Sequence, residues 1–139
     1  MKIDQLIRLI DDFAYGPDSN NPGMQPSHVI TMAGINDMYM SKTTNKVNIS
    51  RLYSALKRQF PNSKISFCLV PMIKTAFTDK QYETIQDLNR EIQSFCDKNA
   101  LNCIPKLPKE DFETDPADPI HWTPACANKT FEHIMNHLN

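Results

Sequence analysis

The stretch His28-Val29-Ile30-Thr31-Met32-Ala33-Gly34-Ile35-Asn36-Asp37 decides how this chain is read. His28 to Ala33 is a short apolar run without helical period, and Gly34-Ile35-Asn36-Asp37 supplies turn chemistry directly after it. Together they predict a buried strand entering a tight turn. On the N-terminal side, Ile3, Leu6, Ile7, Ile10 and Phe13 fall on one face of a helix over 3–13. Between the two, Ala14 to Ser27 is rich in Asn, Pro and Gly and reads as a surface loop.

Downstream the pattern repeats. Ile49, Leu52, Tyr53, Leu56 and Phe60 predict a helix over 49–60 that Pro61-Asn62 stops. Lys64 to Val70 is a second apolar run ending at Pro71 and reads as a second buried strand. From Asp79 to Asn99, Tyr82, Ile85, Leu88, Ile92 and Phe95 keep helical period, with Asp79 as the expected cap and Asn99 as the expected terminator. Leu101 to Ile104 predicts a third strand, Pro105 to Ala117 a polar loop, and Thr123 to Leu138 a last helix with Pro124 near its start. Strands alternating with helices define an α/β domain around a parallel sheet, and residues 1–139 suit a single domain.

Composition narrows the function classes. The net charge is −1, and hydrophobic residues make up 40% of the chain against 22% charged, the balance of a globular protein. Lys42, Lys46, Arg51, Lys57 and Arg58 give only a modest basic bias, explained by a solvated face, so no nucleic-acid partner is expected. No apolar run is long enough to span a bilayer and no signal-peptide core opens the chain, so no membrane partner is expected and the home is expected to be cytoplasmic or otherwise intracellular. Cys68, Cys96, Cys103 and Cys126 lack the spacing of a zinc site or a disulfide scaffold and are expected as free thiols. His133 and His137 stand four apart, but position 134 is Ile where a metalloprotease motif needs Glu. Neither a metal nor a cofactor is expected.

Two clusters can carry chemistry. Gly34-Ile35-Asn36-Asp37 ends the first strand, and Asp118-Pro119-Ile120-His121-Trp122 precedes the last helix. An Asn amide at a strand end can donate to a developing oxyanion, and a His held by a carboxylate three residues earlier can serve as general base. Taken singly, each cluster is also ordinary turn material. In conjunction, and in this order, they resemble two conserved blocks of the SGNH or GDSL hydrolase superfamily: Gly-x-Asn-Asp after a strand, and Asp-x-x-His before a terminal helix. The long helix carrying Asn89 and the strand at Asn102 to Ile104 fit the same course.

The resemblance implies a three-layer, flavodoxin-like α/β fold in which Asn36 is an oxyanion donor, His121 the base, Asp118 its orienting carboxylate, and Gly34 and Asp37 the site turn. It implies an esterase or acyl hydrolase acting on a small ester or O-acetylated substrate. The family's opening strand with its Gly-Asp-Ser nucleophile has no match here, so the chain is expected to begin about two strands into that fold. Such a domain would be incomplete and inactive alone, pairing with itself or with a complementing chain, and the alternative is an inactive binding or assembly module. Gly16-Pro17-Asp18-Ser19 holds the letters of the nucleophile motif with Pro inserted, which makes Ser19 the nucleophile candidate, although it follows a helix rather than a strand. Met24, Met32, Met38, Met40 and Met72 gather near the same end of the domain, where they could line an acyl pocket or fill the core. The pocket itself would be shaped by loops at Met38 to Asn48, Met72 to Thr78 and Lys106 to Ala117.

Overall fold

The computed structural model describes residues 1–13, 25–108 and 112–138. The elements run α1 (Ile3–Phe13), β1 (His28–Thr31), α2 (Lys42–Gln59), β2 (Lys64–Cys68), α3 (Asp79–Asn99), β3 (Asn102–Ile104), β4 (Thr114–Asp115), β5 (Asp118–Trp122) and α4 (Pro124–Asn136). Strands β1, β2 and β3 form a parallel sheet in that order, with Val29 opposite Ile65 and Phe67 opposite Cys103. Both crossovers step the same way across the sheet, so right-handed connections put α2 and α3 on one face. There they pack on each other, and α1 packs on α2.

Side-chain alternation along the strands separates two apolar layers. Val29, Ile65, Phe67 and Cys103 face the three-helix layer and join Ile3, Ile7, Ile49, Leu52, Ile85, Leu88 and Ile92 in the main core. Ser66, Asn102 and the buried Cys68 and Ile104 face the opposite side, where α4 lies. The Asn102 side chain donates to Ser66 Oγ and to the carbonyl of His137, joining the end of α4 to the start of β3. The result is a three-layer α/β arrangement, as the alternation in sequence predicts.

Two boundaries differ from expectation for physical reasons. Helix α2 begins at Lys42, seven residues before Ile49, capped by Ser41, whose Oγ accepts from the Thr44 amide at 3.1 Å. The inward positions of its first two turns are Asn45 and Asn48, both buried. Polar residues on the core side erase the apolar period, so this stretch read as part of a loop. The second difference lies at 114–122, where a polar loop followed by an uncategorised cluster was expected and an antiparallel two-stranded ribbon is found. Position 119 is proline, which has no N–H for a ladder and is tolerated only on such edges. Smaller shifts occur on α3: Thr78 rather than Asp79 caps it, in a reciprocal capping box with Gln81, and Ala100, in left-handed conformation at φ 52°, ends it after Asn99.

Gly34 fixes how the turn after β1 meets the core. Its φ is 129°, and a Cβ there would stand 2.5 Å from Leu88 Cδ2 and 3.3 Å from Val70 Cγ2. Only glycine meets both demands, positive φ and no side chain. Asn89, on the next position of α3, clamps the end of β2 by accepting from the Val70 amide at 2.7 Å and donating to the Val70 carbonyl at 3.0 Å. Gly34→Ala is expected to lower stability by about 2–4 kcal/mol, through overpacking against Leu88 and backbone strain. Urea titration checks it: the midpoint falls while the m-value stays unchanged.

Candidate functional site

The turn after β1 forms a short 3₁₀ segment over Ile35–Asp37. Its two polar residues take different roles. Asp37 is fully buried, and its carboxylate accepts from the Ile3 amide at 3.1 Å, satisfying an orphan donor at the start of α1. Burial pushes the Asp37 carboxyl above the ordinary value, opposed by the Ile3 hydrogen bond. Asp37 therefore anchors a helix. Asn36 instead lines a cleft of about 370 Å³ at the C-terminal ends of β1 and β2, together with Ala33, Ile35, Val70, Ile120 and Trp122. Its Nδ2 donates to the Met1 carbonyl at 3.4 Å, a long bond that a better acceptor can displace.

The second cluster sits on the β4–β5 ribbon. In a straight strand residues three apart lie about 10 Å from each other on opposite faces, yet the Asp118 Oδ2 and His121 Nδ1 are hydrogen-bonded. A register irregularity makes this possible: Asp115 pairs with Asp118 while Thr114 pairs with Trp122, so 119–121 bulge between the two pairings. Asp118 Oδ1 also accepts from the Ile120 amide at 3.3 Å, folding the backbone back on the carboxylate. The ribbon is tied to the start of α4, where Thr123 donates its amide to the Glu113 carbonyl at 3.2 Å.

With Nδ1 giving its hydrogen to the carboxylate, the selected tautomer leaves Nε2 as the basic lone pair. The hydrogen bond from His121 holds the Asp118 carboxyl below the usual carboxylate range. The His121 side chain is 78% exposed, and Asp118 is its one hydrogen-bond partner among the described residues. Such a pair can take a proton from a hydroxyl and hold the resulting imidazolium.

The structure thus joins Asp118 to His121 and brings Asn36 into one cleft with the flanking Ile120 and Trp122. It does not gather all three polar groups at a point, because His121 stands between two cleft-lining residues without lining the cleft itself. Ser19 lies outside the described residues, as does Met24. Of the other methionines, Met32 lines the cleft, Met38 is buried in the main core, Met72 packs against that core, and Met40 lines a small separate cavity beside Asn45. The expected pocket loop at Met38 to Asn48 is helical from Lys42 onward. What sequence reasoning missed is Leu6 of α1 in the cleft wall, since nothing local connects that helix to the strand ends. The His133 and His137 rings lie tilted at 49° with centroids 4.3 Å apart, His133 contacting the Pro105 carbonyl and His137 the His133 carbonyl.

No family model matches the chain, and no curated protein matches it.

The Asp37 assignment has a testable consequence. Asp37→Ala should cost about 1–3 kcal/mol by leaving the Ile3 amide unpaired, whereas Asp37→Asn keeps an acceptor and costs less. Because burial raises the Asp37 value in the folded state, this group adds stability as pH falls through that value. Asp37→Asn should lose that acid-side gain, measured as unfolding free energy against pH; identical profiles for the two proteins would contradict the assignment.

Proposed function

We propose that this chain is an acyl-hydrolase domain of the SGNH type, incomplete and inactive alone, that acts on a small ester or O-acetylated substrate once a nucleophile is supplied. The observation that carries the reading is the Asp118–His121 hydrogen bond, made across a bulge that gives a short acidic-x-x-His run the geometry of a base and its orienter. In this reading Nε2 of His121 removes the proton from a nucleophilic hydroxyl, and the imidazolium then protonates the leaving alcohol. Asn36 donates its Nδ2 to the oxyanion, exchanging the long bond to Met1 for a charge-assisted one. Ile120, Trp122 and Val70 receive the apolar part of the acyl group. The nucleophile lies outside the described residues, either at Ser19 or on another chain.

Turnover of an aryl acetate, measured on the protein together with any chain that copurifies with it, is the test. Activity should vanish in His121→Ala and fall by roughly 10²–10³-fold in Asn36→Ala, the usual cost of one oxyanion donor. Equal rates in the unsubstituted protein and in His121→Ala would remove His121 as the base.

A second reading, an assembly module, rests on a separate observation. Ile30 on β1, and Phe131 and Met135 one turn apart on α4, are exposed by 37%, 64% and 49%. Among the described residues β1 pairs only with β2, and an apolar sheet edge invites another strand. This reading predicts a light-scattering mass above 16.0 kDa and no ester turnover. A monomer that turns over ester would exclude it.

A further inference from the structure

The cleft that Asn36 lines is assembled from separate parts of the chain. The turn after β1 supplies Ala33 and Gly34, the end of β2 the buried Val70, α1 Leu6, and β5 Ile120 and Trp122. Its volume, about 370 Å³, lies within the range of small-molecule sites. No charged side chain lines it among the described residues, and its side-chain hydrogen-bond donors are the Asn36 amide and the Trp122 indole. A larger cleft, about 680 Å³ beside the start of β3, has Lys57, Lys64 and Asp97 in its lining. The cleft at Asn36 is therefore the one suited to an uncharged aliphatic chain.

We propose that the ester acted on at this site carries a straight acyl chain of about six to ten carbons rather than an acetyl group, its carbonyl at Asn36 and its chain between Leu6 and Trp122. The ester linkage rests on the acyl-hydrolase reading above; the length and character of the chain rest on the cleft alone.

Volume decides between long and short. An acetyl group, three heavy atoms at roughly 30 Å³ each, would leave about three quarters of the cleft to water held against apolar walls. A chain of about ten heavy atoms displaces most of that water, and its burial is favourable along its whole length. The lining also decides on charge. With no cationic side chain to meet a carboxylate, the cleft suits a neutral carbonyl, for which the Asn36 Nδ2 can exchange its 3.4 Å bond to Met1. Met1 and Met32, both in the lining, add flexible thioethers that adapt to the bends of such a chain.

Trp122 is the one tryptophan of the chain, so its fluorescence reports on the cleft directly. The test is titration of the full chain with straight-chain methyl ketones of four to fourteen carbons. These carry a neutral carbonyl and no leaving group, so binding needs neither a nucleophile nor His121. Affinity should rise about threefold to fourfold per added methylene up to about ten carbons and then level off. Leu6→Phe, which narrows the cleft, should move the levelling point to chains about two carbons shorter. Ile120 is 40% exposed, so Ile120→Asp leaves the core intact and should weaken binding of the ten-carbon ketone by about tenfold. Equal affinity for the four- and ten-carbon ketones would overturn the proposal. So would affinity that climbs past ten carbons without levelling, or a profile unchanged in both variants. Graded, levelling binding in a preparation that turns over no ester would support the chain assignment and defeat the hydrolase reading alone. Ester turnover with flat ketone binding would do the reverse.

Discussion

The close approach of Gly34 to Leu88 is the contact on which the strand-end half of the site depends. A strand leaving a parallel sheet must turn away before it meets the helix packed behind it, and here the turn is made against α3 with no room for a Cβ. That approach sets where the next three residues point. Asp37 goes inward and takes the first amide of α1, so the helix is positioned by the same turn that ends β1. Asn36, one residue earlier, is left facing the cleft. Asn89, adjacent to Leu88 on α3, holds the end of β2 at Val70, which is also a wall of that cleft. One helix therefore registers both strand ends.

The second half of the site is built differently. The Asp118–His121 pair depends on local geometry alone: a bulge and the return of the Ile120 amide to Asp118. Hydrogen bonds from Glu113 to Thr123 and Cys126 join the start of the ribbon to the start of α4. The Asp118–His121 pair can thus keep its internal geometry while its distance from Asn36 depends on how the ribbon lies over the sheet. The proposed acyl-transfer role would be served by this arrangement, because the carboxylate orients the imidazole before any hydroxyl is bound.

How far the sequence revealed this follows from whether the decisive contacts are local. Helix α3 and strands β1 and β2 announce themselves through apolar period, because their buried faces are apolar. The first two turns of α2 bury Asn45 and Asn48 instead, so their period is silent. The Asp118–His121 pair was legible as a chemical unit, since its partners are three residues apart, although the ribbon carrying it was masked by its prolines. Asp37 could be read only as part of a motif. Its real partner, the Ile3 amide, lies 34 residues away, and such a pairing has no local signature. The same is true of Leu88 beneath Gly34 and of Leu6 in the cleft wall.

The most direct measurement is reaction of the folded protein, with any chain that copurifies with it, with a fluorophosphonate, followed by intact mass and peptide mapping. The account predicts a single serine adduct at a position outside the described residues, forming at least about 10²-fold more slowly in His121→Ala. A folded preparation that takes no label, or that labels equally fast with and without His121, would contradict the assignment of Asp118 and His121 as the base of an acyl-transfer site.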